Sequence, residues 1–135
     1  MDDSSAVHAG LYSSGPPVRL LGSSCDACGM RSFPRVARCG YCGTPGSRPV
    51  DLEPGGRLWA WTAVTTAPPG YRGEVPFGFG VVELDGGPRV IGRLTEPDPS
   101  RLEAGQSMRV VVVPLHADDE GRRVTTYAFA PSEAR

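Results

Sequence analysis

The sequence has no lysine and no asparagine, and only 2 histidines among 135 residues. All 14 basic side chains are arginine, set against 15 acidic residues, so the net charge is −1. That balance argues against bulk nucleic-acid binding, which needs a basic footprint to displace counterions. The shortage of histidine leaves little from which to build a general base. His8 lies in a Ser/Gly-rich opening stretch and His116 at the end of a strand before a turn, and both read as surface residues. No apolar run approaches the length of a membrane span, and no glycine-rich loop opens a helix that would cradle a phosphate. Met1-Asp-Asp-Ser-Ser carries neither a basic nor an apolar signal region, so a cytoplasmic protein is expected. The missing lysine is first a mark of GC-rich coding, although the arginine fork also suits phosphate and carboxylate better than an ammonium does.

What is abundant is turn-forming: 18 Gly and 14 Pro, too many for a helical protein. There are 4 cysteines, arranged as Cys25-Asp-Ala-Cys28 and Cys39-Gly-Tyr-Cys42 with ten residues between the pairs. Two CxxC turns offer two sulfurs each to one tetrahedral metal, and the intervening loop folds the second turn back onto the first. Gly29 and Gly43 directly follow the second cysteine of each pair, where a tight turn demands positive φ. Two disulfides would need an oxidising compartment, and a redox CxxC is usually single and near a βαβ pattern. Structural zinc on Cys25, Cys28, Cys39 and Cys42 is therefore expected. Iron stays open as the alternative ion, because a four-sulfur cage accepts both metals. The cluster also uses every thiol, leaving none for nucleophilic catalysis.

Along the chain, residues 1–17 read as a flexible lead-in, 18–56 as the ribbon, 57–131 as a β domain and 132–135 as a tail. Val18 to Gly22 offers a short apolar patch to pack beneath the first knuckle, and Val50 to Gly56 reads as a connector ending in turn residues. Strands are expected over 57–66, 76–85, 88–95, 107–116 and 122–130, with a hairpin at Gly86-Gly87. Between the third and fourth lies one helical turn, capped by Ser100 or Asp98 and stopped by Gly105. Five strands with their one non-hairpin connection between the third and fourth make an OB barrel. The fold class is thus mainly β, a rubredoxin-like zinc ribbon followed by a five-stranded OB-fold barrel. Gly78 and Gly80 would permit the sharp coiling of a small barrel. Trp59 and Trp61 are placed on one strand face, with Leu58, Ala60, Thr62 and Val64 on the other. The pattern leaves open which face is core.

Seven segments occur in order as a set: Leu21 to Cys28, Phe33-Pro-Arg35, Cys39 to Cys42, Trp61 to Val64, Ala67 to Tyr71, Val82 to Asp85 and Gly92 to Leu94. Together they resemble a zinc-ribbon plus OB-fold family, long catalogued as a domain of unknown function and often encoded beside thiolases. The resemblance spans about residues 18 to 131. It implies a protein that is not an enzyme by itself but binds a thiolase-like partner and helps form or shield an acyl-CoA channel. Family partners include sterol-carrier-type thiolases, retro-aldolases that shorten steroid side chains, and acyltransferases. The family often begins with a longer helical N-terminus, where this chain reads as a short Ser/Gly-rich stretch.

The loop from Ala67 to Pro76 is the leading recognition candidate, being long, stiffened by proline and tipped by Tyr71 and Arg72. In an OB fold, the loop between the first two strands commonly lines the ligand groove. Its Pro68, Pro69, Gly70, Tyr71 and Arg72, with Phe77, are expected to contact acyl-CoA or the partner. Arg31, Arg35 and Arg38 crowd the loop between the knuckles around Phe33. They suit the phosphates of coenzyme A, a solvated face or acidic partner residues equally well. Arg93 sits mid-strand in an apolar setting and needs a partner if buried. Asp118-Asp119-Glu120 reads as solvated charge in a turn. The leading expectation is an accessory subunit of a thiolase-like enzyme, with acyl-CoA as shared ligand. A nucleic-acid-binding ribbon/OB module and a rubredoxin-like electron carrier are the competing readings.

Overall fold

The computed structural model describes residues 5–6, 11–13, 16–70, 75–117, 120–121 and 123–132. Its strands are β1 (Ser5–Ala6), β2 (Leu21–Ser24), β3 (Arg31–Ser32), β4 (Arg48–Asp51), β5 (Gly55–Val64), β6 (Phe77–Leu84), β7 (Arg89–Leu94), β8 (Ser107–Ala117) and β9 (Arg123–Pro131). Among the described residues the one helical element is a 3-10 turn, Pro99–Arg101. Asp98 caps it, accepting from the Ser100 amide at 3.0 Å. Ser100 is therefore a donor inside the turn rather than the cap.

Strands β5, β6 and β7 form an antiparallel meander, β7 pairs in parallel with β9, β9 pairs with β8, and β8 returns to β5. That order closes a five-stranded barrel of OB topology, with β8 reached from β7 by the non-hairpin connection. The interior follows the strand period of two. Val82 and Leu84 of β6, Val90 and Leu94 of β7, Met108 and Val110 of β8 and Phe129 of β9 are buried around Leu58. Gly92 is required by close approach: a Cβ there would stand 2.8 Å from a Tyr127 ring carbon and 3.0 Å from one of Phe129. Glycine lets the β9 rings lie directly on the β7 backbone.

The ribbon is a three-stranded sheet, β3-β2-β4. Its apolar segment reaches further than the first knuckle. Leu20 and Leu52 are fully buried in the same cluster as the barrel core, joined by a Leu52 amide to Leu20 carbonyl bond of 2.9 Å. Residues 50–56 are consequently not a simple connector: Val50 and Asp51 end β4, Leu52 is core, and Gly55 and Gly56 begin β5. Burying Leu52 outweighs the local turn composition.

The two tryptophans do not share a face. The β5–β6 register shifts between Leu58 and Ala60, which makes Trp59 the extra residue of a bulge. Leu58 points inward, Trp59 is 55% exposed, and Trp61 packs half-buried against the core with its indole N–H donating to the Pro99 carbonyl at 3.0 Å. A bulge breaks the alternation on which the shared-face expectation rested.

Candidate metal centre and its surroundings

Both knuckles are built from one backbone plan. In the first, the Cys25 amide donates to the Met30 carbonyl at 2.9 Å and the Gly29 amide to the Cys25 carbonyl at 2.8 Å. In the second, the Cys39 amide donates to Thr44 at 3.0 Å and the Gly43 amide to Cys39 at 2.9 Å. Gly29 and Gly43 both have φ of 77°, a left-handed turn that glycine adopts without a Cβ penalty. The four sulfurs lie within 4.8 Å of one another. Cys25 and Cys42 Sγ are 3.6 Å apart, and Cys28 and Cys39 Sγ 3.7 Å. A tetrahedral zinc about 2.3 Å from each thiolate sets its sulfurs about 3.8 Å apart, whereas a disulfide would bring them to about 2.05 Å. The donor set and spacing therefore fit one tetrahedral metal, and zinc is such an ion.

Two of the sulfurs, those of Cys39 and Cys42, are favoured as thiolates by their surroundings. The Thr44 hydroxyl, 3.2 Å away, and the Thr44 amide hold the Cys42 thiol down to about 6. Amides of Cys42 and Tyr41 lower Cys39, the Tyr41 N–H lying 3.3 Å from its sulfur. The Met30 amide draws Cys28 down too, but desolvation and the neighbouring sulfurs outweigh it and push that thiol up to about 12. Thiolates packed this closely repel, so a cation among them is what allows all four to ionise.

The arginines of the inter-knuckle loop have separate surroundings. Arg35 clamps the ribbon sheet: its Nε donates to the Gly22 carbonyl at 3.1 Å and its Nη2 lies 3.2 Å from Asp51. Arg38 donates to the Gly43 carbonyl within the second knuckle. Arg31 extends toward the β6–β7 turn, its guanidinium lying against Gly86. Phe33 is half-buried between the modules, edge to face with Tyr127. These four side chains do not converge on one point.

At the opposite end of β6 and β7, Phe77 and Arg93 do come together, with the guanidinium 4.3 Å from the ring centroid. They line an open cavity of about 240 Å³ with Pro76, Leu94, Thr95 and Val113. Pro76, which leads into β6, lines the same cavity. Pro68, Pro69 and Gly70 of the preceding loop are exposed, while Tyr71 and Arg72 lie outside the described residues. His8, Asp118 and Asp119 also lie outside them, as does the side chain of His116; Glu120 is exposed.

Sequence reasoning missed a second surface. A cleft of about 360 Å³ runs between the knuckles and the β6–β7 hairpin, lined by Met30, Arg31, Tyr41, Glu83, Gly86 and Arg89. At its rim the Arg89 guanidinium lies 4.2 Å above the Trp59 ring and 3.2 Å from Glu83. The cross-strand pair Glu83↔Arg89 flanking Gly86-Gly87 was the available signal.

Residues 49–113 match the family model described as the ChsH2 C-terminal OB-fold domain. A DUF35 domain-containing scaffold protein of Pyrococcus furiosus is 28% identical over 114 residues, which cover 84% of this chain and 83% of that one. A probable enoyl-CoA hydratase alpha subunit of Thermomonospora curvata is 31% identical over 114 residues, 84% of this chain but 34% of the longer relative. Among solved structures, an Ltp2-ChsH2(DUF35) aldolase superposes with a TM-score of 0.65 at 25% identity, covering 84% of each chain. The family resemblance read from the collinear motifs agrees with these comparisons.

Proposed function

We propose, for a chain related to the DUF35 scaffold proteins and carrying an OB barrel of the ChsH2 C-terminal type, that it is a non-catalytic accessory subunit of a thiolase-fold enzyme acting on an acyl-CoA thioester. The observation that carries this reading is the extent of the likeness: 84% of this chain aligns with 83% of a protein named as a scaffold, and 84% with 84% of a chain in an aldolase structure. Retro-aldol cleavage, as in shortening a steroid side chain, is the favoured partner chemistry, ahead of Claisen or acyl transfer.

The residues fit such a role. Every thiol belongs to the Cys25–Cys42 cluster, so a thiol nucleophile has to come from the partner. When bound, zinc ties β2, the two knuckles and β4 into one rigid plate, because a ribbon this small has too little core of its own. Leu20 and Leu52 join that plate to the barrel core. In this reading Phe77 and Arg93, with Pro68, Pro69, Gly70, Tyr71 and Arg72 of the adjoining loop, form the wall presented to the acyl-CoA. A guanidinium on an aromatic ring offers a fixed cation to phosphate or carboxylate. Arg31 faces the cleft at the other end of β6 and β7, where it would meet a phosphate or a partner carboxylate, whereas Arg35 and Arg38 bond ribbon carbonyls.

The test is co-expression with thiolase-fold proteins of the same organism, followed by affinity purification and thioester assays with and without this chain. The expected result is stoichiometric co-purification and loss of partner activity or stability when the chain is omitted. Full partner activity without it, and no co-purification, would reject the reading.

A further inference from the structure

The outer face of β6 and β7 is apolar where a free barrel would normally be polar. Ile91 is 59% exposed, Trp59 55% and Phe79 40%. The register makes them neighbours: Ala60, Val81 and Ile91 form one cross-strand row, and Thr62, Phe79 and Arg93 the next. These side chains cannot turn inward. The alternate positions Gly78, Gly80 and Gly92 are buried glycines whose missing Cβ space is filled by neighbouring backbone and by the β9 rings. The face is therefore fixed as well as apolar. It runs on, past Trp59 and Arg89, into the cleft beside Tyr41 and Met30, which are 59% and 44% exposed. Contiguous apolar surface of this kind, rich in Trp, Tyr and Arg, is what protein interfaces bury.

Charge decides what covers it. Among the described residues, Arg57 and Arg89 on the face and Arg31 in the adjoining cleft stand against two carboxylates, Glu83 and Asp85. In an isologous contact a second copy of this chain would set that arginine excess against itself. A nucleic-acid strand needs a basic footprint that a chain with 14 basic against 15 acidic residues does not supply. The complementary surface is a protein with an apolar centre and carboxylates at its rim.

We infer that this face of β6 and β7, extended by Trp59 and the inter-module cleft, is the docking surface for the partner enzyme, and that the partner's patch is apolar in the middle and acid-rimmed. The inference rests on the accessory-subunit reading. The arginine rim steers and orients the encounter, and the apolar centre supplies most of the affinity.

The experiment compares full-length wild type with Ile91→Asp, Arg89→Glu and a control, Val112→Asp, which alters an exposed β8 residue outside the patch. Each is co-expressed with the same thiolase-fold protein and its retention quantified, with zinc content and thermal melting confirming the fold. Ile91→Asp and Arg89→Glu are expected to reduce retained partner by about tenfold or more, Val112→Asp to leave it unchanged, and added salt to weaken wild-type binding. If wild type binds and both patch variants bind equally well, the surface is wrong while the accessory role stands. If wild type retains no thiolase-fold protein, both fail. Sedimentation of wild type alone as a dimer that Ile91→Asp dissociates would assign the face to a second copy and overturn the inference.

Discussion

Phe33 of the ribbon meets Tyr127 of the barrel edge to face, with ring centroids 5.4 Å apart and planes at 82°. Tyr127 meets Phe129 in the same manner at 6.0 Å, and its hydroxyl donates to the Ile91 carbonyl at 2.9 Å. One tyrosine thus links the inter-knuckle loop, the core and the β7 backbone. Together with Leu20 and Leu52 it makes the ribbon and barrel a single packed unit.

That linkage is measurable by a double-mutant cycle. Phe33→Leu and Tyr127→Leu, alone and combined, are expected to show a coupling of about 0.5–1.5 kcal/mol in urea unfolding, the range for such ring pairs. A coupling of zero would mean that the rings touch without contributing.

Tyr127 also predicts behaviour in alkali. Burial raises its pKa above the ordinary tyrosine value of 10.0. The neutral phenol is the form the fold favours, so its contribution is complete below pH 10 and is lost as pH rises through the higher folded-state value. Spectrophotometric titration is expected to show a late-ionising step that disappears in Tyr127→Phe.

The cysteine cluster predicts one zinc per chain in the colourless purified protein, measured by elemental analysis. Strong chelation, or Cys39→Ser, is expected to unfold the ribbon and lower the melting temperature, because metal binding and ribbon folding are one event. A red protein containing iron would replace zinc as the resident metal. Full stability after metal removal would contradict the structural role.

Gly92→Ala tests the close packing of β9 on β7. With ring carbons 2.8 and 3.0 Å from the added methyl, the substitution is expected to cost about 1–3 kcal/mol through overpacking. Thermal melting of the zinc-loaded protein checks this, and an unchanged melting temperature would show that the rings can withdraw.

Local chemistry makes the ribbon legible in the chain itself. CxxC spacing and the glycines after each pair specify two knuckles, and both glycines take the same φ of 77°. The five barrel strands are equally visible, because half-buried strands alternate and glycine pairs or prolines separate them. The family resemblance carried by the collinear motifs agrees with the comparisons over 84% of the chain.

Register and the meeting of distant segments are not written in any local pattern. The bulge at Trp59 separates two tryptophans that simple alternation places together, since pairing with β6 and the burial of Leu58 fix the strand, not its own sequence. Leu52, inside a turn-like stretch, becomes core because the ribbon and barrel close on it. Arg35 and Arg38 turn toward ribbon carbonyls, while Arg93 meets Phe77 across one strand pair. The sequence by itself determined the four-cysteine cluster and the strand order of the barrel, through short-range spacing and period. Only tertiary structure decided which arginines serve the fold and which apolar residues remain outside, because those outcomes depend on partners far apart in the chain.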